Sequence, residues 1–120
     1  MASTLSPNIL VMIQADPVKS PRAVEALRIA LGLGSHNEGR DIHIILSGRA
    51  PYLLAEDTTN VMDSEILEHH LPVFIEWGTA FQIAPNAEVP PKWLPDCTIT
   101  PATTQDIANA LRTADRVLAF

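Results

Sequence analysis

The single cysteine of this chain, Cys97, is the one residue that could form a persulfide or another covalent sulfur species. The thiolate is the nucleophile in such chemistry, and a loop cysteine beside Lys92 would be reactive if it were exposed. Free cysteines are more often inert, small apolar residues, and we favour that interpretation for Cys97. A single cysteine excludes an internal disulfide and fits a reducing environment, so we expect a cytoplasmic protein.

A second set of candidates consists of polar and aromatic residues that follow predicted strands. They are Gln14 and Asp16 after the first strand, Gly48 and Arg49 after the second, and Glu76 and Trp77 after the third. Because open α/β sheets bind ligands at the carboxyl ends of their strands, these residues predict one small-ligand pocket. Gly48 permits close backbone approach, and Arg49 could bind an anion.

Glu76 has two interpretations. A carboxylate partly desolvated beside the Trp77 indole could have a raised pKa and act as an acid or a base. Alternatively, Glu76 caps a helix end or pairs with an arginine such as Arg49. We favour this structural role, because no second catalytic group lies near Glu76 in the sequence.

Metal and cofactor sites are not predicted. His69 and His70 are adjacent, so on a helix their side chains point about a hundred degrees apart and cannot chelate one ion together. The loops after the first two strands also lack the Gly-rich pattern that binds nucleotide phosphates.

Composition narrows the classes of partner. The net charge is −6, and the chain has no run of basic residues, so neither nucleic acid nor an anionic membrane is an expected partner. Apolar runs are too short to span a bilayer, and the amino terminus lacks the pattern of a signal peptide. The length of 120 residues predicts a single domain over residues 1–120.

Strands and helices alternate along the chain, which predicts an α/β domain. The predicted strands are Ile9–Ile13, Asp41–Leu46, Pro72–Glu76, Thr98–Thr100 and Asp115–Phe120. Helices are predicted from Pro21, over Ser64–His69 and from Thr103 or Thr104, with one helical turn at Tyr52–Ala55. The segment from Trp77 to Pro101 carries five prolines and is predicted to be mostly irregular. The terminal strand is predicted to lie inside a parallel sheet, because a strand at a chain end needs neighbours to hold it.

Four stretches, taken in order, resemble one known family. They are the opening strand, Ala26–Leu31, Ile44–Gly48 and the ending Ala114–Phe120. Together they are similar to the DsrE-like sulfur-relay family, which includes the DsrEFH, Tus and YchN-type proteins. The resemblance implies a three-layer α/β/α sandwich around a mostly parallel five-stranded sheet. It also implies assembly into trimers or hexamers.

The chain differs from this family at the position of the catalytic cysteine. Catalytic members carry a cysteine just after the strand that corresponds to Pro72–Glu76, and alignment on this run places Glu76 there. A carboxylate cannot carry sulfur. We therefore expect a non-catalytic oligomeric partner or small-ligand-binding subunit. The alternatives are a sulfurtransferase that uses Cys97, and a small-molecule enzyme or sensor that uses Glu76 in a carboxyl-edge pocket.

The aromatic residues suggest how such a subunit would associate. The chain has more apolar surface than a small domain needs inside, on the sides of the first helix and in the Trp77–Trp93 segment, with Phe74, Phe81 and Trp93. We expect this surface to contribute to a contact between identical or related DsrE-like subunits. The alternative is ordinary core packing, with the proline-rich loop folded back on the sheet.

Overall fold

Five strands form one parallel sheet in the computed structural model, which describes residues 8–120. They are β1 (Ile9–Ile13), β2 (Ile42–Leu46), β3 (Ala80–Ile83), β4 (Thr98–Pro101) and β5 (Arg116–Ala119). The strand order is β4-β3-β2-β1-β5, and every neighbouring pair is parallel. The predicted five-stranded α/β architecture is therefore confirmed.

Three α-helices cover the two faces of the sheet. They are α1 (Arg22–Gly34), α2 (Ser64–Trp77) and α3 (Thr104–Thr113), and a short 3-10 helix spans Ala50–Leu54. The main core lies between α1, α2 and the sheet face that carries Val11 and Ile44. The opposite face carries Leu10 and His43, which line a small cavity together with Ala110 of α3. The helices thus form two layers around the sheet, as the sandwich prediction requires. No helix within residues 8–120 is long and apolar enough to cross a membrane.

The third predicted strand is wrong. Pro72–Glu76 belongs to α2, which continues to Trp77 and ends at Gly78 with a left-handed backbone, φ +74°. Leu67, Leu71 and Phe74 are buried at helical spacing, so the helix has a continuous apolar face. A short apolar run does not by itself distinguish a buried strand from a buried helix turn. The true third strand, β3, lies in the segment that was predicted to be irregular.

The terminal helix and strand are confirmed, but their position in the sheet differs from the prediction. Thr103 caps α3 reciprocally: its Oγ1 accepts the Asp106 N–H at 3.0 Å, and its own N–H donates to Asp106 Oδ2 at 2.8 Å. β5 pairs with β1 and is an edge strand of the sheet that residues 8–120 form. It is held at its ends instead, where Asn8 N–H donates to Asp115 Oδ2 and Phe120 N–H donates to the Met12 carbonyl.

The aromatic residues expected at a subunit contact are largely occupied by the core. Phe74 and Phe81 are fully buried, and their ring centroids lie 5.7 Å apart in an edge-to-face arrangement. Trp77 and Trp93 are half-buried and pack against the same core. The alternative of core packing with a folded-back loop therefore accounts for these four side chains.

Replacing Pro72 by alanine is expected to raise the free energy of unfolding by about 1–2 kcal/mol. Proline lies inside α2, where it cannot donate to the carbonyl four residues earlier. Relative to alanine, it costs about 3 kcal/mol in a helix interior. The greater entropy of the unfolded alanine variant offsets up to about 1 kcal/mol of this gain.

Urea unfolding of Pro72→Ala against the wild type measures this effect. Pro85→Ala is the matched control, because Pro85 is exposed in a turn outside any helix, and its loss is expected to lower stability slightly. A Pro72→Ala protein less stable than the wild type would contradict the helical role of this segment.

Candidate functional site

A cavity of about 490 Å³ opens at the carboxyl edge of the sheet. Its walls come from the loop after β1, from the 3-10 helix and loop after β2, and from the loop after β3. The lining residues are Val18, Arg49, Tyr52, Ala55, Glu56, Asp57, Asn60, Val61, Pro91 and Lys92. This is the edge where open α/β sheets bind ligands. Of the predicted pocket residues, Arg49 lines the cavity, whereas Asp16 lies beside it, with its Oδ2 3.2 Å from Arg49 Nε.

Gly48 allows the three loops to meet. Its backbone has φ +57°, and a side-chain Cβ added there would lie 3.1 Å from the Gln14 carbonyl oxygen. Its own carbonyl accepts the Glu88 N–H at 2.8 Å. Gln14 and Gly48 therefore support the site through their backbones. Neither residue lines the cavity, although both were predicted as pocket residues.

Arg49 is the centre of the polar side of the cavity. Its Nη1 donates to Glu88 Oε2 at 2.8 Å, and its buried Nε lies 3.2 Å from Asp16 Oδ2 without a directed hydrogen bond. The guanidinium carbon lies 4.6 Å from the centroid of the Tyr52 ring, a cation–π arrangement. The guanidinium is thus held by two carboxylates and one aromatic ring. Its predicted role as an anion-binding group loses support, because its charge is already compensated.

Two backbone hydrogen bonds beside the cavity join two of its loops, and we call this pair the backbone clip. Glu56 N–H donates to the Lys92 carbonyl at 2.9 Å, and Leu94 N–H donates to the Leu54 carbonyl at 2.7 Å. Ala55 and Trp93 form an antiparallel bridge between these two bonds. The clip ties the loop after β2 to the loop after β3. Ala55 and Glu56 of the clip line this cavity and also a second cavity of about 220 Å³ beside α2.

Glu76 and Trp77 do not belong to this site. Both lie at the end of α2, before β3 begins at Ala80, and therefore at the amino edge of the sheet. The Trp77 ring packs there on Gly39. A Cβ added to Gly39 would lie 2.7 Å from the Trp77 ring. Glu76 is exposed. The prediction that these two residues border the same crevice as Arg49 is wrong, because the strand that would have carried them there is a helix.

Cys97 also lies away from the carboxyl edge. It directly precedes β4 and is partly buried against the main core. Burial, with a smaller contribution from the Asp96 charge, raises the pKa of its thiol. A raised pKa lowers the thiolate fraction at neutral pH, which is the opposite of what a persulfide carrier needs.

We expect iodoacetamide to alkylate Cys97 more slowly in the folded protein than in the urea-unfolded chain at about pH 8. The rate should rise with pH through a midpoint above that of the unfolded chain, because folding favours the neutral thiol. The stabilisation from this thiol is present below the unfolded pKa and is lost as pH rises through the folded pKa. The free energy of unfolding of the wild type should therefore fall at alkaline pH relative to that of Cys97→Ala. Equal alkylation rates for folded and unfolded protein would contradict this.

Several residues of the site were not predicted from the sequence. Tyr52 lies three residues after Arg49 and could have been found from the one-turn spacing of a helix. Glu88 and Lys92 are about forty residues from Arg49 in the chain and come close only through the β2–β3 pairing. Within residues 8–120, no group of three or more His, Cys, Asp and Glu side chains is arranged to hold a metal ion.

Comparison with solved structures identifies the architecture. The crystal structure of the YchN protein from E. coli is similar to this chain, with a TM-score of 0.72 at 15% sequence identity. The match covers 96% of this chain and 100% of that one. Neither a protein-family model nor a curated protein matches the sequence. At this level of identity the likeness shows the fold, and it confirms the resemblance to YchN-type architecture that the sequence predicted.

Proposed function

We propose that this chain, which has the DsrE-like fold, is a non-catalytic, small-ligand-binding subunit related to the intracellular sulfur-relay proteins. The observation that carries the proposal is the 490 Å³ cavity at the carboxyl edge, lined by polar and apolar side chains and containing no thiol. The fold supplies the usual ligand edge, and the residues at that edge supply contacts for binding rather than for sulfur transfer.

The corrected position of β3 supports the non-catalytic role. The family's cysteine follows the third strand, and in this chain the residues that follow β3 are Ala84–Glu88, with the sequence Ala-Pro-Asn-Ala-Glu. This segment has no cysteine, so the absence of the thiol does not depend on the original alignment through Glu76. Cys97 lies beyond the opposite end of β4 and has a raised pKa. No described feature favours sulfur transfer by Cys97.

The proposed subunit is an oligomer of identical or related DsrE-like chains. Large apolar residues remain exposed on the isolated subunit, including Met62, Ile66, Leu111 and Val117. Ile66 and Val117 are 42% and 43% exposed, and a contact between subunits would remove such side chains from water. Sedimentation at micromolar concentration is expected to give a species larger than the monomer. A monomer under these conditions would refute this part of the proposal.

Native mass spectrometry of the purified protein tests the main proposal. We expect an assembly that retains a small molecule and loses it on gentle activation. Incubation with glutathione persulfide should add no sulfur to Cys97, with Cys97→Ser as the control. A wild-type protein that gains one sulfur and transfers it to an acceptor thiol, while Cys97→Ser does neither, would overturn the non-catalytic assignment.

A further inference from the structure

The carboxyl-edge cavity carries an excess of negative charge. Two cationic side chains are present in or directly beside it, against four carboxylates, so the net charge of the site is −2. The cations are Arg49 and Lys92, and the carboxylates are Asp16, Glu56, Asp57 and Glu88. A site that selects its ligand by charge should therefore favour a cation over an anion.

Arg49 does not reverse this preference. Its guanidinium lies 3.2 Å from Asp16 and 2.8 Å from Glu88, and it stacks on Tyr52. An incoming anion would have to displace one of the carboxylates, and the displaced carboxylate would then repel it. Lys92 is the remaining cation; it lines the cavity, and its side chain is exposed.

Glu56 and Asp57 are the carboxylates available to a ligand. Within residues 8–120, neither forms an ion pair, although Lys92 lines the same cavity. Asp57 Oδ1 accepts hydrogen bonds from the backbone N–H and the hydroxyl of Thr59. These bonds lower the pKa of Asp57 and so favour its charged form.

The rest of the cavity wall is suited to an apolar body. Val18, Val61 and Pro91 line it beside the ring of Tyr52. A ligand with a flat or branched hydrocarbon part would cover these side chains while its charged end reached the carboxylates. Small-molecule sites commonly combine an apolar wall with a few polar groups that set orientation.

We infer that the carboxyl-edge cavity binds a cationic small molecule, an amine with an apolar body, whose charge is received by Glu56 and Asp57. This inference rests on the proposed binding function and names the chemical class of the ligand. It excludes the anionic sulfur species, such as thiosulfate or a persulfide, as occupants of this cavity.

Three probes of matched shape test the inference: phenethylamine, phenethyl alcohol and hydrocinnamate, which are cationic, neutral and anionic. Their binding to the protein is followed by amide chemical shifts and by calorimetry. We expect the amine to bind about tenfold more tightly than the carboxylate, with the alcohol between them. Shifts should centre on Ala55 and Val61, and the difference should shrink at high salt.

Two double variants, each of which removes two negative charges, show which carboxylates cause the preference for the amine. Glu56→Gln with Asp57→Asn should reduce the preference for the amine to less than about threefold. Glu65→Gln with Glu76→Gln removes the same charge from exposed positions that do not line the cavity and should leave the preference unchanged. If both double variants lose the preference equally, overall charge explains it, and the assignment to Glu56 and Asp57 is wrong.

The remaining outcomes separate the inference from the proposed function. If hydrocinnamate binds at the cavity as tightly as phenethylamine, or more tightly, the cationic class is refuted and the cavity stands as a binding site. If no probe shifts the cavity amides at millimolar concentration, both the inference and the proposed binding site fail.

Discussion

Replacing Gly39 by alanine is expected to lower the free energy of unfolding by about 3 kcal/mol. Gly39 has φ +76°, a left-handed conformation that costs a residue with a Cβ about 1 kcal/mol or more. The added Cβ would also lie 2.7 Å from the Trp77 ring, and this clash should cost at least as much again. Most domains have about 5–15 kcal/mol of stability, so this variant should melt well below the wild type.

Two other glycines separate the causes of this loss. Gly78 has φ +74° but open space around its Cβ position, so Gly78→Ala should show the conformational cost alone, about 1 kcal/mol. Gly32 lies inside α1 with nothing within 4 Å of an added Cβ, so Gly32→Ala should be neutral or stabilising by up to about 1 kcal/mol. Chemical denaturation of the three variants measures the series. A Gly39→Ala loss no larger than that of Gly78→Ala would show that the Trp77 contact is unimportant.

Replacing Phe74 by alanine is the second large effect, with an expected loss of about 3–5 kcal/mol in the free energy of unfolding. The Phe74 side chain is fully buried, and its ring meets Trp77 and Phe81 edge-to-face at centroid distances of 5.6 and 5.7 Å. It therefore joins α2 to β3. Removing the ring leaves a cavity that the rigid sheet on one side cannot fill.

Glu68→Ala is the matched control for Phe74→Ala. Glu68 lies on the same helix but its side chain is exposed, so its truncation should change stability by less than about 1 kcal/mol. Far-ultraviolet circular dichroism with urea unfolding compares the two variants. A similar small loss for both would mean that residue 74 does not face the core, and would contradict the helical assignment of Pro72–Glu76.

The fold and the chemistry of this protein are separable. The carboxyl edge of the sheet presents a charged cavity in this chain, where Arg49 is enclosed by Asp16 and Glu88. The architecture is shared with YchN at 15% identity, and so low an identity leaves most side chains at the edge free to differ. Function in this protein must therefore be tested at the cavity itself.

The errors in strand assignment came from one segment. β1, β2, β4 and the terminal helix and strand were found because runs such as Ile9–Ile13 are short, apolar and bounded by loops. Pro72–Glu76 has the same local pattern, and a proline near its start is unusual in a helix. Helix was favoured in the folded protein because Leu67, Leu71 and Phe74 then share one buried face. The helix is stabilised by packing against α1 and β3, and the residues of those two elements lie outside the run Pro72–Glu76.

This single error had a large effect on the predicted site. It moved Glu76 and Trp77 to the carboxyl edge, whereas the structure places them before β3, at the amino edge. Asp16 and Arg49 were located correctly because they directly follow strands that were assigned correctly. Glu88 and Lys92 could not be predicted, because the sequence from Trp77 onward was interpreted without β3.

By itself, the sequence determined the alternation of strands and helices, the single cysteine and the acidic net charge. These properties depend on local patterns and on counts, which do not require knowledge of distant contacts. Only the tertiary structure decided which strand is third, which loops meet at Gly48, and that the charge of Arg49 is compensated by Asp16 and Glu88. Each of those outcomes depends on residues far apart in the chain, brought together by sheet pairing and core burial, and no local pattern encodes them.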